Sequence, residues 1–109
     1  MKRKPAPPSP EVVANMVRNH WRSIVTATCL RNAQLLNVVP RDAFDLRSLP
    51  SDLAEMVAHK CVELCDEATR EELQLGSRPA RLEQRVNTEL WRTLKVFRNP
   101  PAGEQRGLL

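Results

Sequence analysis

A chain of 109 residues holds one small domain with a modest core, and its three glycines leave no loop fit to cradle a phosphate. Two Trp, two Phe and no Tyr, with no sustained alternation of apolar and polar residues, argue against a β-sandwich or barrel and leave an all-α fold. The formal charge of +4 is partitioned, with a stretch of net −5 over 49–76 between basic flanks, which argues against a simple nucleic-acid binder.

No apolar run is long enough to span a bilayer, and the N-terminal charges are not followed by the apolar segment of a signal peptide. Three cysteines, Cys29, Cys61 and Cys65, cannot all pair within the chain. The expectation is an intracellular protein, nuclear and/or cytoplasmic, with reduced thiols and no membrane segment.

In chain order, residues 1–10 hold Pro5, Pro7, Pro8 and Pro10 and read as a disordered, basic, Pro-rich arm. Lys2-Arg3-Lys4 within it has the form of a minimal nuclear-import signal, although so short a basic cluster also fits a solvated tail. The helical domain is expected over 11–98. A first helix starts after Pro10, with Glu11 near the positive end of its dipole. Val13, Val17, Trp21, Ile24 and Thr28 form its apolar stripe, flanked by Val12, Met16 and Val25, and it reaches Cys29 or beyond. Residues 30–39 either extend it or form a short second helix, and Asn37 followed by Val38-Val39-Pro40 ends the segment.

Residues 40–48 read as a loop from which Phe44 and Leu46 tuck onto the core. The next helix begins at Pro50-Ser51, with Ser51 as N-cap, Asp52 and Glu55 in its first turn, and Leu53, Met56, Val57, Cys61 and Leu64 as its stripe. Thr69 and Glu72 have capping-box spacing, predicting a separate short helix closed by Gly76. Pro79 opens the last helix, striped by Leu82, Val86, Leu90, Leu94 and Phe97 and stopped by Asn99-Pro100-Pro101; the tail over 99–109 is flexible. The reading is a small orthogonal bundle of about four helices with flexible termini.

The ordered set Leu49-Pro50, Leu53, Met56-Val57, Leu64, Glu67-Ala68-Thr69-Arg70-Glu71-Glu72-Leu73, Leu90-Trp91-Arg92 and Phe97-Arg98 resembles the F-box-like region of Elongin A. The F-box of ubiquitin-ligase receptors is similar in outline and in the distance from Leu-Pro to Leu-Trp. The resemblance covers roughly half the chain. It implies a non-enzymatic adaptor linking a cullin-type ubiquitin ligase or a transcription-elongation complex to a partner, through a protein of the Skp or Elongin C type. It also implies Leu49, Pro50, Leu53, Val57, Leu90 and Trp91 as the residues that dock or support docking. Two features depart from the pattern: an aromatic before the last helix is missing, and the Elongin-binding box is matched only by Ser23-Ile24 with Thr28.

Other chemistry has little support. Cys61 and Cys65 lie four apart with His59 nearby, but no second ligand pair has zinc spacing, so no metal and no cofactor is expected. His20 and His59 lack a nucleophile or carboxylate at a recognisable spacing, so no catalytic residue is assigned. As an alternative, Arg78, Arg81, Arg85, Arg92 and Lys95 fall on one side of the last helix and could contact nucleic acid through its phosphates. The same bases could instead pair with the acids of 52–72 across the bundle, or with a second copy of the chain.

Overall fold

The computed structural model of the chain describes residues 9–98. Within them lie three α-helices, α1 (Pro10–Leu35), α2 (Ser51–Leu75) and α3 (Ala80–Arg98), and no strand. The basic arm with Lys2-Arg3-Lys4, the Asn99-Pro100-Pro101 stop and the tail over 99–109 lie outside the described residues, as does the Phe97 side chain.

Helix α1 begins where the sequence leads one to expect. Ser9 is the N-cap, its hydroxyl oxygen accepting from the Val12 N–H at 3.3 Å, and Pro10 takes the first helical position, where it has no N–H to waste. Residues 30–35 extend this helix and do not form a second one. It ends as Asn37 turns into the left-handed region at φ 59°, a conformation that Asn tolerates better than most residues. The Val38 N–H then closes back on the Ala33 carbonyl at 2.8 Å.

The buried side of α1 is Trp21, Val25, Cys29, Asn32 and Ala33, with Val17 and Ile24 of the expected stripe half-buried against the core. Val12 and Met16 stay exposed. The reason is where the bundle ends: the turn between α2 and α3 places Arg78 against His20 and over the Trp21 ring. The Val12 and Met16 side of the first turns of α1 therefore has little to pack against, while Val17 reaches the core.

Residues 36–50 cross from the end of α1 to the start of α2. Val39 and Leu49 are buried and Leu46 is half-buried, and the Gln34 side-chain amide donates to the Ala43 carbonyl at 2.8 Å. Phe44 does not tuck in as expected; it is 91% exposed, next to the residue whose carbonyl is pinned.

Two further expectations are corrected in α2. Ser51 is not the N-cap. The Ala54 N–H bonds the Pro50 carbonyl at 2.8 Å, so Pro50 holds the cap position, Ser51 is already helical, and no side chain caps this end. Nor does a new helix start at Thr69. Its hydroxyl donates to the Cys65 carbonyl at 2.7 Å, one turn back, which satisfies a buried Thr without breaking the helix. Gly76 does end it, at φ 71° with its N–H on the Glu72 carbonyl, so the count is three helices and not four.

The helices lie alongside one another. Trp21 meets Glu72 and Cys29 meets Cys61, so α1 and α2 are antiparallel. Lys60 pairs with Glu89 and Glu71 with Arg81, so α2 and α3 are antiparallel too. His20 with Arg78 and Asn32 with Asn87 set α1 and α3 parallel. The arrangement is up, down, up, in place of the orthogonal one expected. Trp21, Leu53, Leu90 and Leu94 are fully enclosed along its length. Each such large side chain contributes about 1.5–3 kcal/mol on burial. Among the described residues, no helix is long and apolar enough to cross a membrane.

Candidate interaction groove

The side chains expected to dock a partner divide by depth. Leu49 is 8% exposed, Val57 2%, and Leu53 and Leu90 are fully buried. Leu53 and Val57 of α2, Leu90 of α3 and Leu49 of the preceding loop pack in the chain's own core, a place that suits supporting docking more than direct contact. Along an antiparallel pair of helices, the positions that repeat every three or four residues face the neighbouring helix, and Leu53, Val57 and Leu90 occupy them. Pro50 is exposed and Trp91 is half-buried, so only these two of the six reach the surface.

The bases expected along the last helix divide as well, and Arg78 lies in the turn before α3. Arg78 pairs with Glu72 at 2.7 Å, Arg81 with Glu71 at 3.1 Å, and Arg85 with both Glu67 at 3.4 Å and Glu71 at 3.7 Å. These three bases face the acids of α2 across the bundle. Arg92 has a looser pair with Glu89 at 3.7 Å, one turn back on its own helix, and Lys95 has no ion-pair partner among the described residues.

Arg92, Lys95 and Trp91 come together. With Asn87 and Thr88 they form one wall of an open groove of about 620 Å³, whose other wall is Arg31, Asn32 and Leu35 from the end of α1. Spacing explains the α3 side: 87, 88, 91, 92 and 95 are successive positions on one helical face. The groove floor is fixed by Asn32, only 2% exposed, whose side-chain amide donates to the Asn87 side-chain oxygen at 3.1 Å and to the Asn87 carbonyl at 3.3 Å. Leu35 remains 64% exposed at the groove's edge. Arg31, Arg92 and Lys95 surround this apolar strip, and no acid lines it.

Neither family models, nor curated proteins, nor solved structures match this chain. The groove is therefore read from its own chemistry: an aromatic face and a leucine to bury, with three cations to orient what binds. The members missed from sequence are Arg31, Asn32, Leu35, Asn87 and Thr88. One signal was available, since Asn32 falls seven residues after Val25 in the buried register of α1, where an amide needs a partner.

A second, smaller hollow of about 240 Å³ lies between α1 and α2, lined by Arg18, Arg22, Val25, Thr26, Cys61, Val62, Cys65 and Asp66. Cys61 and Cys65 were considered together from sequence, but the thiol that faces Cys61 is Cys29 of α1. The Cys29 thiol donates a hydrogen bond that favours the Cys61 thiolate and lowers its pKa, despite burial acting the other way. Cys29 is pushed well up by that same bond, by burial and by the Cys61 charge. Cys65 donates to the Arg18 carbonyl at 3.6 Å. No group of three or more His, Cys, Asp or Glu gathers to hold a metal among the described residues.

Proposed function

We propose that the chain is a non-enzymatic interaction adaptor, F-box-like or Elongin A-like, linking a cullin-type ubiquitin ligase or a transcription-elongation complex to a partner. The observation that carries this reading is Trp91 in an open groove with Leu35 exposed beside it. Trp is the side chain most enriched where protein interfaces concentrate their binding energy. The Leu-Pro opening of α2 supports the resemblance in a structural role: Leu49 and Leu53 anchor the end of the crossing loop. The contact with a Skp-type protein or Elongin C is assigned to the groove instead of to that corner.

Calorimetric titration with a Skp-type adaptor and with Elongin C tests this. One of them binds the wild type, and Trp91→Ala weakens binding by roughly 30-fold, about 2 kcal/mol, with helicity retained. A wild-type chain that binds neither protein, or a folded Trp91→Ala that binds as well as wild type, sinks the reading. Leu53→Asp is not a fair probe, because a carboxylate at a fully buried site destroys the fold itself.

One observation favours a second reading. Arg31, Arg92 and Lys95 around an indole could hold the phosphates of a single strand while a base stacks on Trp91. Oligonucleotide binding that falls steeply with salt would support it, and a flat response eliminates phosphate neutralisation.

A further inference from the structure

We infer that the groove also takes α2 of a second copy of this chain, so that the protein self-associates ridge into groove. The inference rests on the groove being an interaction surface, and it names an occupant that the chain itself carries. The outward strip of α2 is Glu55, Ala58, His59, Val62 and Glu63, spaced three, four, seven and eight residues from its first member, and it faces away from the core. Val62 is 62% exposed on it. Ala58, having only a methyl group, lets another helix approach closely.

Strip and groove match in three respects. In charge, Glu55 and Glu63 meet Arg31, Arg92 and Lys95. Glu63 and Arg92 each also have a loose pair on their own helix, to Lys60 at 3.9 Å and to Glu89 at 3.7 Å. In polarity, Val62 and Ala58 meet Leu35 and Trp91. In length, residues 55–63 and residues 87–95 each span eight steps, about 12 Å of helix. The docked α2 would complete a four-helix arrangement with α1 and α3 of the first copy. Charge is nearly balanced around the two surfaces, since residues 9–98 carry thirteen Lys or Arg against twelve Asp or Glu, although the full chain is +4.

The contact joins two different surfaces, so an associated pair keeps one free ridge and one free groove for further copies. Self-association and binding of any other partner in the groove exclude one another. Both surfaces are solvated, so the contact is weak and sensitive to salt.

Sedimentation equilibrium of the full chain under reducing conditions tests the inference. Wild type associates at low salt with a dissociation constant on the order of 10–100 µM. It weakens roughly tenfold as sodium chloride rises from about 0.02 to about 0.5 M. The ridge variant Glu55→Arg/Glu63→Arg and the groove variant Arg92→Glu/Lys95→Glu are each monomeric alone, and mixing the two restores association. All four positions are exposed, and circular dichroism checks that both variants fold.

A monomeric wild type overturns the inference. So does either variant associating like wild type, or a mixture that stays monomeric. The adaptor reading is judged separately: the ridge variant keeps its groove, so it binds the Skp-type protein or Elongin C whether or not copies of the chain associate.

Discussion

Trp21 shows how one side chain closes the end of this bundle. Its ring is fully buried, its indole N–H donates to Glu72 at 3.0 Å, and the Arg78 guanidinium lies over the ring, 5.6 Å from its centre. Arg78 also holds Glu72, so one carboxylate, only 12% exposed, ties α1 and α2 to the turn that leads into α3. A buried indole needs its N–H paired, and a buried carboxylate needs a cation; each meets the other's requirement. The thiols carry a comparable local asymmetry. With Cys29 donating, Cys61 forms its thiolate at a lower pH than an ordinary thiol, so iodoacetamide modifies it at pH values where unperturbed thiols react slowly. Cys29→Ala removes the donor and moves the pH–rate profile of Cys61 to higher pH, as followed by mass spectrometry. An unchanged profile would show that the thiol contact has no part in it.

At the scale of elements, the ends of α1 and α2 differ in what secures them. Ser9 caps α1 through its side chain, whereas Ser51 lies inside α2 and caps nothing. Ser9→Ala is therefore expected to lower stability by about 1 kcal/mol, and Ser51→Ala to change it by less than about 0.5 kcal/mol, in denaturant titration. Equal losses would mean that Ser51 does cap. The same elements show what could be read from residues alone. The α3 stripe of Leu82, Val86, Leu90 and Leu94 was legible, because a regular period faces one core and all four are buried. The Thr69–Glu72 pattern misled, because the signature of a helix start takes no account of tertiary partners. Thr69 bonds within its own helix, and Glu72 is claimed by Trp21 and Arg78. The α1 stripe was legible at Val17, Trp21, Ile24 and Val25, but its limit was not. Sequence does not reveal that the bundle ends near Trp21 and leaves Val12 and Met16 exposed.

For the whole molecule, burial redistributes the roles that the motifs suggested. Leu-Pro and Leu-Trp mark helix starts and core anchors, and a repeating leucine cannot show from sequence which side of it is covered. The groove was only half legible: Trp91, Arg92 and Lys95 were singled out for two different reasons, while Arg31 and Leu35 enter only because α1 and α3 run parallel. Charge follows the same logic. Arg78 of the turn and Arg81 and Arg85 of α3 are matched by acids of α2, leaving the cationic character concentrated at the groove. Hydrogen exchange of backbone amides, with and without the bound Skp-type protein or Elongin C, tests the central claim most directly. The account predicts added protection over 31–36 and 87–96, with the amides of 49–57 unchanged. Protection concentrated at 49–57, with the groove helices unaffected, would contradict it.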